Sequence, residues 1–258
     1  MFKNTINMKN ILFYCFISAI ICGCNTGQDS QVSLEQSLVD RSIEASGGDL
    51  YTQSTISFKF RDRNYIGTRK GGFFRLERLW SDSLNSYRDY ISNEGYSRFQ
   101  NESAVEVVDS MAFKYSNSIN SVFYFGLLPY GLNDPAVIKT YIDTVEINGQ
   151  QYDKVKITFH QEGGGKDFED EFVYWFNKET GHFDYMGYNY QTDGGGARFR
   201  VAYNPRTVNG IRFQDYINYK PKDSTFMDVS QFDQLYLNNG VEELSRIELE
   251  QINVTINK

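Results

Sequence analysis

The chain has few of the residues that build cross-linked or metal-held folds, with 3 cysteines and 2 histidines among 258 residues. Cys15, Cys22 and Cys24 all lie close to the N-terminus, so the rest of the chain has neither a disulfide framework nor a thiolate metal site. His160 and His182 belong to no metal-ligand spacing such as H-E-x-x-H. The sequence therefore predicts no metal site and no cofactor.

Proline is also scarce, with 4 residues. Together with 23% charged and 40% hydrophobic residues, this composition excludes collagen-like, disordered and multi-span membrane proteins and indicates one ordinary globular domain. Basic residues are fewer than acidic ones, which leaves a formal net charge of -7. Binding of nucleic acid needs a broad basic surface, so a nucleic acid is not predicted as a partner.

Motifs for catalysis are missing. The segment Gly95–Phe99 does not form a nucleophile elbow, because Phe99 stands where that motif requires glycine. The glycine run at 163–165 leads to Lys166 and then Asp167, whereas a phosphate-binding loop requires Ser or Thr after the lysine. We therefore expect no catalytic residues. A hydrolase is a distant alternative, since paired carboxylates on separate strands leave no signal in spacing.

The N-terminal segment is typical of a signal peptide. Lys3 and Lys9 precede an uncharged run from 10 to 21, which is too short to span a bilayer comfortably. The sequence Ile21-Cys22-Gly23-Cys24 resembles the lipobox of bacterial lipoproteins, in which the final cysteine carries the diacylglycerol. The resemblance implies a signal peptide at 1–23, with either Met1 or Met8 as the start, and a lipidated Cys24.

This anchor predicts where the protein lies in the cell. Residues 24–32 are small and polar, as expected of a flexible lipidated tether, and residues 33–258 form the predicted single domain. Two acyl chains make membrane anchoring effectively stable. Asn25 is not the aspartate associated with retention in the inner membrane. We therefore predict a lipid-anchored protein of the cell envelope, at the outer membrane, with the face of that membrane left open.

Periodicity changes once along the domain. Ser33 and Gln36 have capping-box spacing, and apolar residues then recur at helical spacing until Gly47, which predicts a helix over 33–46. The period then becomes two, as in Ile56–Phe60. Similar runs near 63–69, 72–80, 85–92 and 95–100 are separated by turn residues, which is typical of an antiparallel meander.

The alternation breaks between 109 and 135, where we predict a helix followed by an apolar loop. It resumes in hairpins, of which the clearest turns at Asn148-Gly149. The final hairpin is predicted to pair 228–237 with 242–256. The predicted fold is mainly β: a large curved antiparallel sheet or an unclosed barrel of about a dozen strands, with an N-terminal helix and a mid-chain helix.

The chain resembles the outer-membrane lipoprotein-sorting proteins LolA and LolB in three features taken together: the lipobox, the helix ending in Glu44–Gly48 and the strand Ile56–Phe60. The chain also resembles uncharacterised lipoproteins, grouped as a domain of unknown function, in Leu128-Pro129 and in Gly210–Phe213. The resemblance implies an unclosed barrel around a hydrophobic cavity that can hold acyl chains, covered by a lid. By position, the lid is the apolar segment 122–132.

Aromatic residues make up 16% of the chain and suggest how such a cavity is lined. The candidate cavity and lid residues are Phe123, Phe125, Leu128, Pro129, Leu132, Trp175, Tyr185 and Tyr188. The strand Phe172–Phe176 is apolar on both faces, so both need cover or one faces a cavity. The alternative, which is favoured for any single residue, is an aromatic β-rich core.

Basic residues concentrate between 59 and 78, where Arg61, Arg63 and Arg69 form a candidate patch for an anionic partner. Acidic residues concentrate between 162 and 184. Solvated strand faces that pair with each other are the favoured explanation of both runs.

Two functional hypotheses follow. The first is a membrane-anchored lipoprotein that binds a hydrophobic or acylated ligand in an aromatic-lined cavity. The second is a non-enzymatic envelope scaffold whose barrel is filled by its own side chains and whose basic strands bind a protein.

Overall fold

The computed structural model describes residues 32–162, 168–191 and 194–257. The predicted signal peptide, Cys24 and the tether as far as residue 31 lie outside them. From the N-terminus to the C-terminus, the helices and strands of the described residues are α1 (Leu34–Ser46), β1 (Ser54–Phe60), β2 (Arg63–Lys70), β3 (Phe73–Ser81), β4 (Ser86–Ser92), β5 (Gly95–Gln100), β6 (Ser103–Val105), α2 (Asp109–Gly126), β7 (Val137–Ile147), β8 (Gln150–Phe159), β9 (Phe172–Asn177), β10 (Phe183–Tyr190), β11 (Gly196–Val208), β12 (Ile211–Pro221), α3 (Phe232–Leu237), β13 (Val241–Ile247) and β14 (Glu250–Ile256).

These strands form two antiparallel sheets of seven strands each. Sheet A has the order β14-β1-β2-β3-β4-β5-β6, and sheet B has the order β13-β12-β11-β10-β9-β8-β7. Neighbouring strands are consecutive in sequence except at β1, which pairs with β14. The mainly β, unclosed antiparallel fold predicted from the sequence is therefore confirmed, as are its N-terminal and mid-chain helices.

Helix α1 begins and ends where its sequence predicts. The Ser33 hydroxyl accepts a hydrogen bond from the Gln36 amide, and Gly47 ends the helix at a φ of 139°, a conformation that favours glycine. The Gln36 side chain donates to Asp40 and Asn133 rather than back to Ser33. Only half of the predicted capping box is therefore formed.

The hairpin turns follow the local sequence equally closely. Asn148 and Gly149 have φ values of 52° and 81°, and Asn209 and Gly210 have 44° and 87°. Two consecutive positive φ angles match the right-handed twist of the strands they join, and Asn-Gly adopts them at low cost.

The chain crosses from sheet B to sheet A between β13 and β14, at a polar junction. The buried Asp215 carboxylate accepts from the Leu249 amide at 3.1 Å. Arg206 donates to the Leu249 carbonyl at 2.6 Å and to Asp215 at 2.9 Å. These bonds satisfy backbone groups that have left one ladder and not yet joined the other.

Apolar side chains of the described residues pack in three clusters. The inner face of sheet A packs under α2, and the inner face of sheet B packs under α1 and the segment after α2. A third cluster lies on the outer face of sheet B, around Trp175, Phe199 and Phe232. Sheet B is thus covered on both faces, as its doubly apolar strand β9 requires.

The predicted final hairpin is wrong. Residues 229–231 form a 3-10 turn, 232–237 form α3, and 242–256 divides into β13 and β14 of different sheets. Val229, Phe232 and Tyr236 are spaced three and four residues apart, which is a helical period. This period brings all three onto the outer face of sheet B.

No helix within the described ranges is long and apolar enough to cross a membrane.

Candidate ligand pocket

A pocket of about 380 Å³ lies between the C-terminal part of α2, the segment that follows it, and the inner face of sheet B. Its volume falls within the range of small-molecule sites. Most of the lining is aromatic or aliphatic. The lining residues are Asn120, Ser121, Tyr124, Phe125, Leu128, Asp134, Ala136, Val137, Phe159, Asp170, Phe172, Met186, Tyr188 and Arg200.

Helix α2 divides its aromatic residues between the two sheets. Phe123 is buried against Phe58 and Tyr65 of sheet A, with ring centroids 5.5 and 5.9 Å away. Tyr124 turns towards Phe172 of sheet B, with centroids 6.4 Å apart. Three consecutive helical residues span about 200° of the helix surface, so one helical turn packs against sheet A and also roofs the pocket with Tyr124 and Phe125.

The floor of the pocket is an aromatic group on β8, β9 and β10. Phe172 stacks on Tyr188 at 5.4 Å and meets the edge of Phe159 at 5.8 Å. Met186, next to Tyr188 on the same face, belongs to the inner cluster of sheet B. Offset and edge-to-face pairs of this kind hold rings in fixed positions, so the floor is formed without a ligand.

Three tyrosines near the pocket, Tyr124, Tyr174 and Tyr216, have raised pKa values. The hydroxyls of Tyr124 and Tyr174 lie 3.5 Å apart. Burial raises the pKa of Tyr124 to about 12 and that of Tyr216 to about 12, and it raises the pKa of Tyr174 well above the usual value. These groups therefore act as hydrogen-bonding dipoles at physiological pH and carry no charge.

Arg200 is the cation of the pocket wall. Its guanidinium carbon lies 5.5 Å from the Phe125 ring centroid and 5.0 Å from that of Tyr188. Its Nη2 donates to the Tyr188 hydroxyl at 3.2 Å. Among the described residues, no carboxylate lies within salt-bridge distance of it, although Asp134 and Asp170 also line the pocket.

A metal centre is not formed anywhere in the described part of the chain, since no three His, Cys, Asp or Glu side chains converge there.

A family of unknown function, DUF6503, matches residues 10–249. The chain belongs to this family. Among curated proteins, none matches the sequence. The grouping with uncharacterised proteins expected from Leu128-Pro129 and Gly210–Phe213 is therefore confirmed.

The DUF6503 fold is similar to several solved structures. One is a DUF1329 family protein from Desulfovibrio piger ATCC 29098, with a TM-score of 0.48 and 10% identity over 85% of this chain and 92% of that one. A LolA superfamily protein from Nitrosomonas europaea has a TM-score of 0.45 and 9% identity, over 87% of this chain and 93% of that one. A putative outer membrane lipoprotein-sorting protein domain from Vibrio parahaemolyticus has a TM-score of 0.43 and 8% identity, over 85% of this chain and 91% of that one.

In this DUF6503 protein the predicted lid residues separate into two groups. Phe125 and Leu128 line the pocket. Phe123 instead belongs to the core of sheet A, and the fully buried Leu132 to the core of sheet B. Pro129 is buried but is not a lining residue. The segment 122–132 is thus as much core as cover.

The three strand residues predicted to line the cavity lie on different faces of sheet B, and two of them are not pocket residues. Tyr188 lines the pocket, whereas Trp175 and Tyr185 lie on the outer face of sheet B. Trp175 meets the Phe199 ring at 5.5 Å, and Tyr185 stacks on Phe199 at 5.8 Å. The signal was in the spacing, because Tyr185 and Tyr188 are an odd number of residues apart on one strand.

The predicted basic patch is not brought together. Arg63 and Arg69 lie towards opposite ends of β2, about 20 Å apart at the usual rise per strand residue. Arg61 is exposed at the turn before β2, with its guanidinium carbon 5.1 Å from the Phe60 ring centroid. Arg63 stacks on Trp80, and Arg69 on Tyr130. Each guanidinium instead packs on its own aromatic ring.

Sequence reasoning missed Arg200, Tyr124 and Met186 as lining residues. Arg200 alternates with Phe199 and Val201, a pattern typical of a strand with one solvated face. That face lies under α2 instead. The pairing of β10 with β11 holds the available signal. Arg198 pairs with Tyr188 and Arg200 with Met186, so the two arginines lie on the same face of sheet B as these pocket residues.

Proposed function

We propose that this protein is a cell-envelope lipoprotein that binds a hydrophobic or acylated ligand in the pocket between α2 and sheet B. The observation that carries the proposal is the pocket itself, whose lining is mostly aromatic and aliphatic. Pockets of this kind gain their affinity from apolar area removed from water. The chemistry proposed is binding, with no catalytic step.

The way α2 packs on sheet A differs from the way it lies over sheet B, and this difference supports a binding pocket. On that side α2 packs closely, and the Phe123 ring occupies the space over Gly67. Over sheet B, the neighbouring Tyr124 and Phe125 stand above an open volume. The same helix thus fills one half of the interior and leaves room in the other. A scaffold with a wholly filled interior accounts less well for this difference.

The scaffold alternative also depended on Arg61, Arg63 and Arg69 as one surface. Arg61 lies in the turn before β2, Arg63 and Arg69 lie towards opposite ends of that strand, and the three pack on separate rings. We therefore do not propose them as a site for an anionic protein. A nucleic acid is equally left out, since the chain carries a net charge of -7.

The proposed location rests on the lipobox-like sequence ending at Cys24. A diacylglycerol on Cys24 would hold the domain at the outer membrane, with residues 24–32 as its tether. Metabolic labelling with radioactive palmitate tests this directly. We expect label in the wild-type protein and none after Cys24→Ser, while label in both proteins would contradict the assignment.

The ligand is tested by native mass spectrometry of the Cys24→Ser protein purified gently from the periplasm. We expect a mass above that of the chain, and a lipid or acylated compound in the organic extract. Phe125→Asp should abolish this occupancy because it places a carboxylate in the apolar roof. Phe113→Asp is the matched control, since Phe113 is on the same helix but 57% exposed and outside the pocket.

A Cys24→Ser protein without any bound ligand would contradict the proposal. So would equal occupancy in the Phe125→Asp protein, provided that its far-UV circular dichroism and melting temperature match those of the Phe113→Asp protein.

A further inference from the structure

Arg200 has more hydrogen-bonding capacity than its surroundings use. A guanidinium has five N–H donors in one plane and stays protonated at all physiological pH values. Within the described structure, one hydrogen bond is formed, from Nη2 to the Tyr188 hydroxyl. The Nε atom is buried and has no hydrogen-bond partner. The side chain is only partly exposed, so water satisfies the remaining donors incompletely.

Nearby rings compensate only part of this charge. Phe125 and Tyr188 lie within cation–π distance of the guanidinium carbon, and such contacts are attractive. They act through the ring faces, however, and do not accept the in-plane N–H donors. A partly buried charge without an anionic partner is costly. An anion bound in the pocket would recover that cost, and would form charge-assisted hydrogen bonds.

Comparison with Arg198 shows that this situation is specific. Arg198 lies two residues earlier on β11 and therefore on the same face. Its Nη2 donates to the Tyr190 hydroxyl at 2.6 Å and its Nη1 to the Ala197 carbonyl at 2.8 Å. It does not line the pocket. Of these two neighbours, Arg200 is thus the less satisfied and the one placed against the cavity.

The rest of the lining defines the other end of the ligand. Apolar side chains surround the volume beside Arg200, including Leu128, Val137, Phe159, Phe172 and Met186. Asp134 is exposed, and Asp170 is only partly buried and has interactions of its own. The site therefore combines one cation that has no carboxylate partner among the described residues with an apolar chamber.

We propose that the ligand is a single-chain amphiphile with a carboxylate head, which Arg200 binds while the acyl chain lies against Phe159, Phe172 and Met186. This inference rests on the proposed binding function and names its ligand class. A planar carboxylate can accept two parallel N–H bonds from one guanidinium. A phosphate head shares this anionic chemistry, and the experiment separates the two.

The test uses the full chain with Cys24→Ser and compares three probes by equilibrium dialysis: palmitate, hexadecanol and hexadecyl phosphate. We expect palmitate to bind at least about tenfold more tightly than hexadecanol, since the two share a chain and differ in the charge of the head. Arg200→Gln should remove this preference, so that this variant binds palmitate and hexadecanol with equal affinity. Arg198→Gln, the matched control, should keep the preference.

The outcomes separate the two proposals. Equal binding of palmitate and hexadecanol by the Cys24→Ser protein, or an unchanged preference after Arg200→Gln, would overturn the assignment of Arg200 and leave the pocket in place. Tighter binding of hexadecyl phosphate than palmitate would overturn the choice of carboxylate. Binding of none of the three probes would count against the pocket function itself. Thermal unfolding of each variant establishes that it is folded.

Discussion

The edge of the Phe123 ring lies where a side chain on Gly67 would have to be. A Cβ atom at Gly67 would come within 2.7 Å of Phe123 Cε1, closer than such atoms approach in real structures. Glycine on β2 therefore lets α2 pack tightly on sheet A, and it fixes the height of the helix above both sheets. The roof of the pocket, formed by the next two residues of α2, depends on this contact.

Gly67→Ala should destabilise the protein by about 1–3 kcal/mol, because the ring is held between Phe58 and Tyr65 and cannot move aside cheaply. Urea unfolding measures the change. Gly126→Ala is the matched control at the end of α2, since its Cβ would meet neighbours at 3.5 Å or more. A Gly67→Ala protein as stable as the control would contradict the role of this close approach.

A buried charge triad under α2 leads to a second prediction. The fully buried Asp89 accepts from Arg78 at 2.7 Å, and from Arg98 at 2.6 and 2.8 Å. Arg78 also donates to Ser118 of α2. Asp89→Asn leaves two guanidinium groups without their anion and should cost about 3–5 kcal/mol of unfolding free energy at neutral pH. Asp62→Asn, at an exposed ion pair, should cost less than about 0.5 kcal/mol.

The same triad gives the protein an acid-sensitive step. Burial raises the pKa of Asp89, but the hydrogen bonds from Arg98 and Arg78 outweigh it, so that the net pKa is lowered. A carboxylate with a lowered pKa in the folded state stabilises the fold above its unfolded pKa of about 3.9 and loses this contribution as pH falls further. The urea concentration at the unfolding midpoint, measured between pH 3 and 7, should therefore decrease once the pH drops below about 4. This decrease should be less steep in the Asp89→Asn protein. An identical slope in both proteins would contradict the assignment.

The outer face of sheet B leads to a third prediction. Phe232 of α3 is fully buried and stacks on Phe199 at 5.2 Å. Phe232→Ala should cost about 3–5 kcal/mol through the cavity it leaves, and should leave ligand occupancy unchanged because the pocket opens on the other face. Native mass spectrometry and thermal unfolding of the same sample measure both. Leu237→Ala, at an exposed position of α3, is the control and should change neither the stability nor the ligand occupancy. A Phe232→Ala protein that is folded but has lost its ligand would contradict the separation of the two faces.

Much of the fold followed from local sequence. The helix predicted over 33–46 is observed at Leu34–Ser46, and the early strands lie within a residue or two of their predicted positions. These elements are specified by neighbours in the chain, such as the cap at Ser33 and the paired positive φ angles at Asn148 and Gly149. Local preference and final structure agree there.

The site was less predictable because it depends on which segment covers which face. Strand β9 is apolar on both sides, so its sequence alone does not say whether Tyr174 or Trp175 faces the pocket side. That choice is made by α1 and α2 on one face and α3 on the other. Arg200 was missed for the same reason: a charged residue that alternates with aromatic ones predicts a solvated face, and only the arrival of α2 over that face makes it the wall of a pocket.

The pairing of β1 with β14 has a consequence for how the protein is made. Ser54 pairs with Ile256, and Thr55 donates to Asn257, 202 residues further along the chain. Until the last strand has been synthesised, β1 therefore presents a free hydrogen-bonding edge, which is a hazard for aggregation. Contacts this distant in sequence also form slowly. Sheet A is thus completed only after translation has passed β14, and a chain that is exported as it is made would complete it on the far side of the membrane.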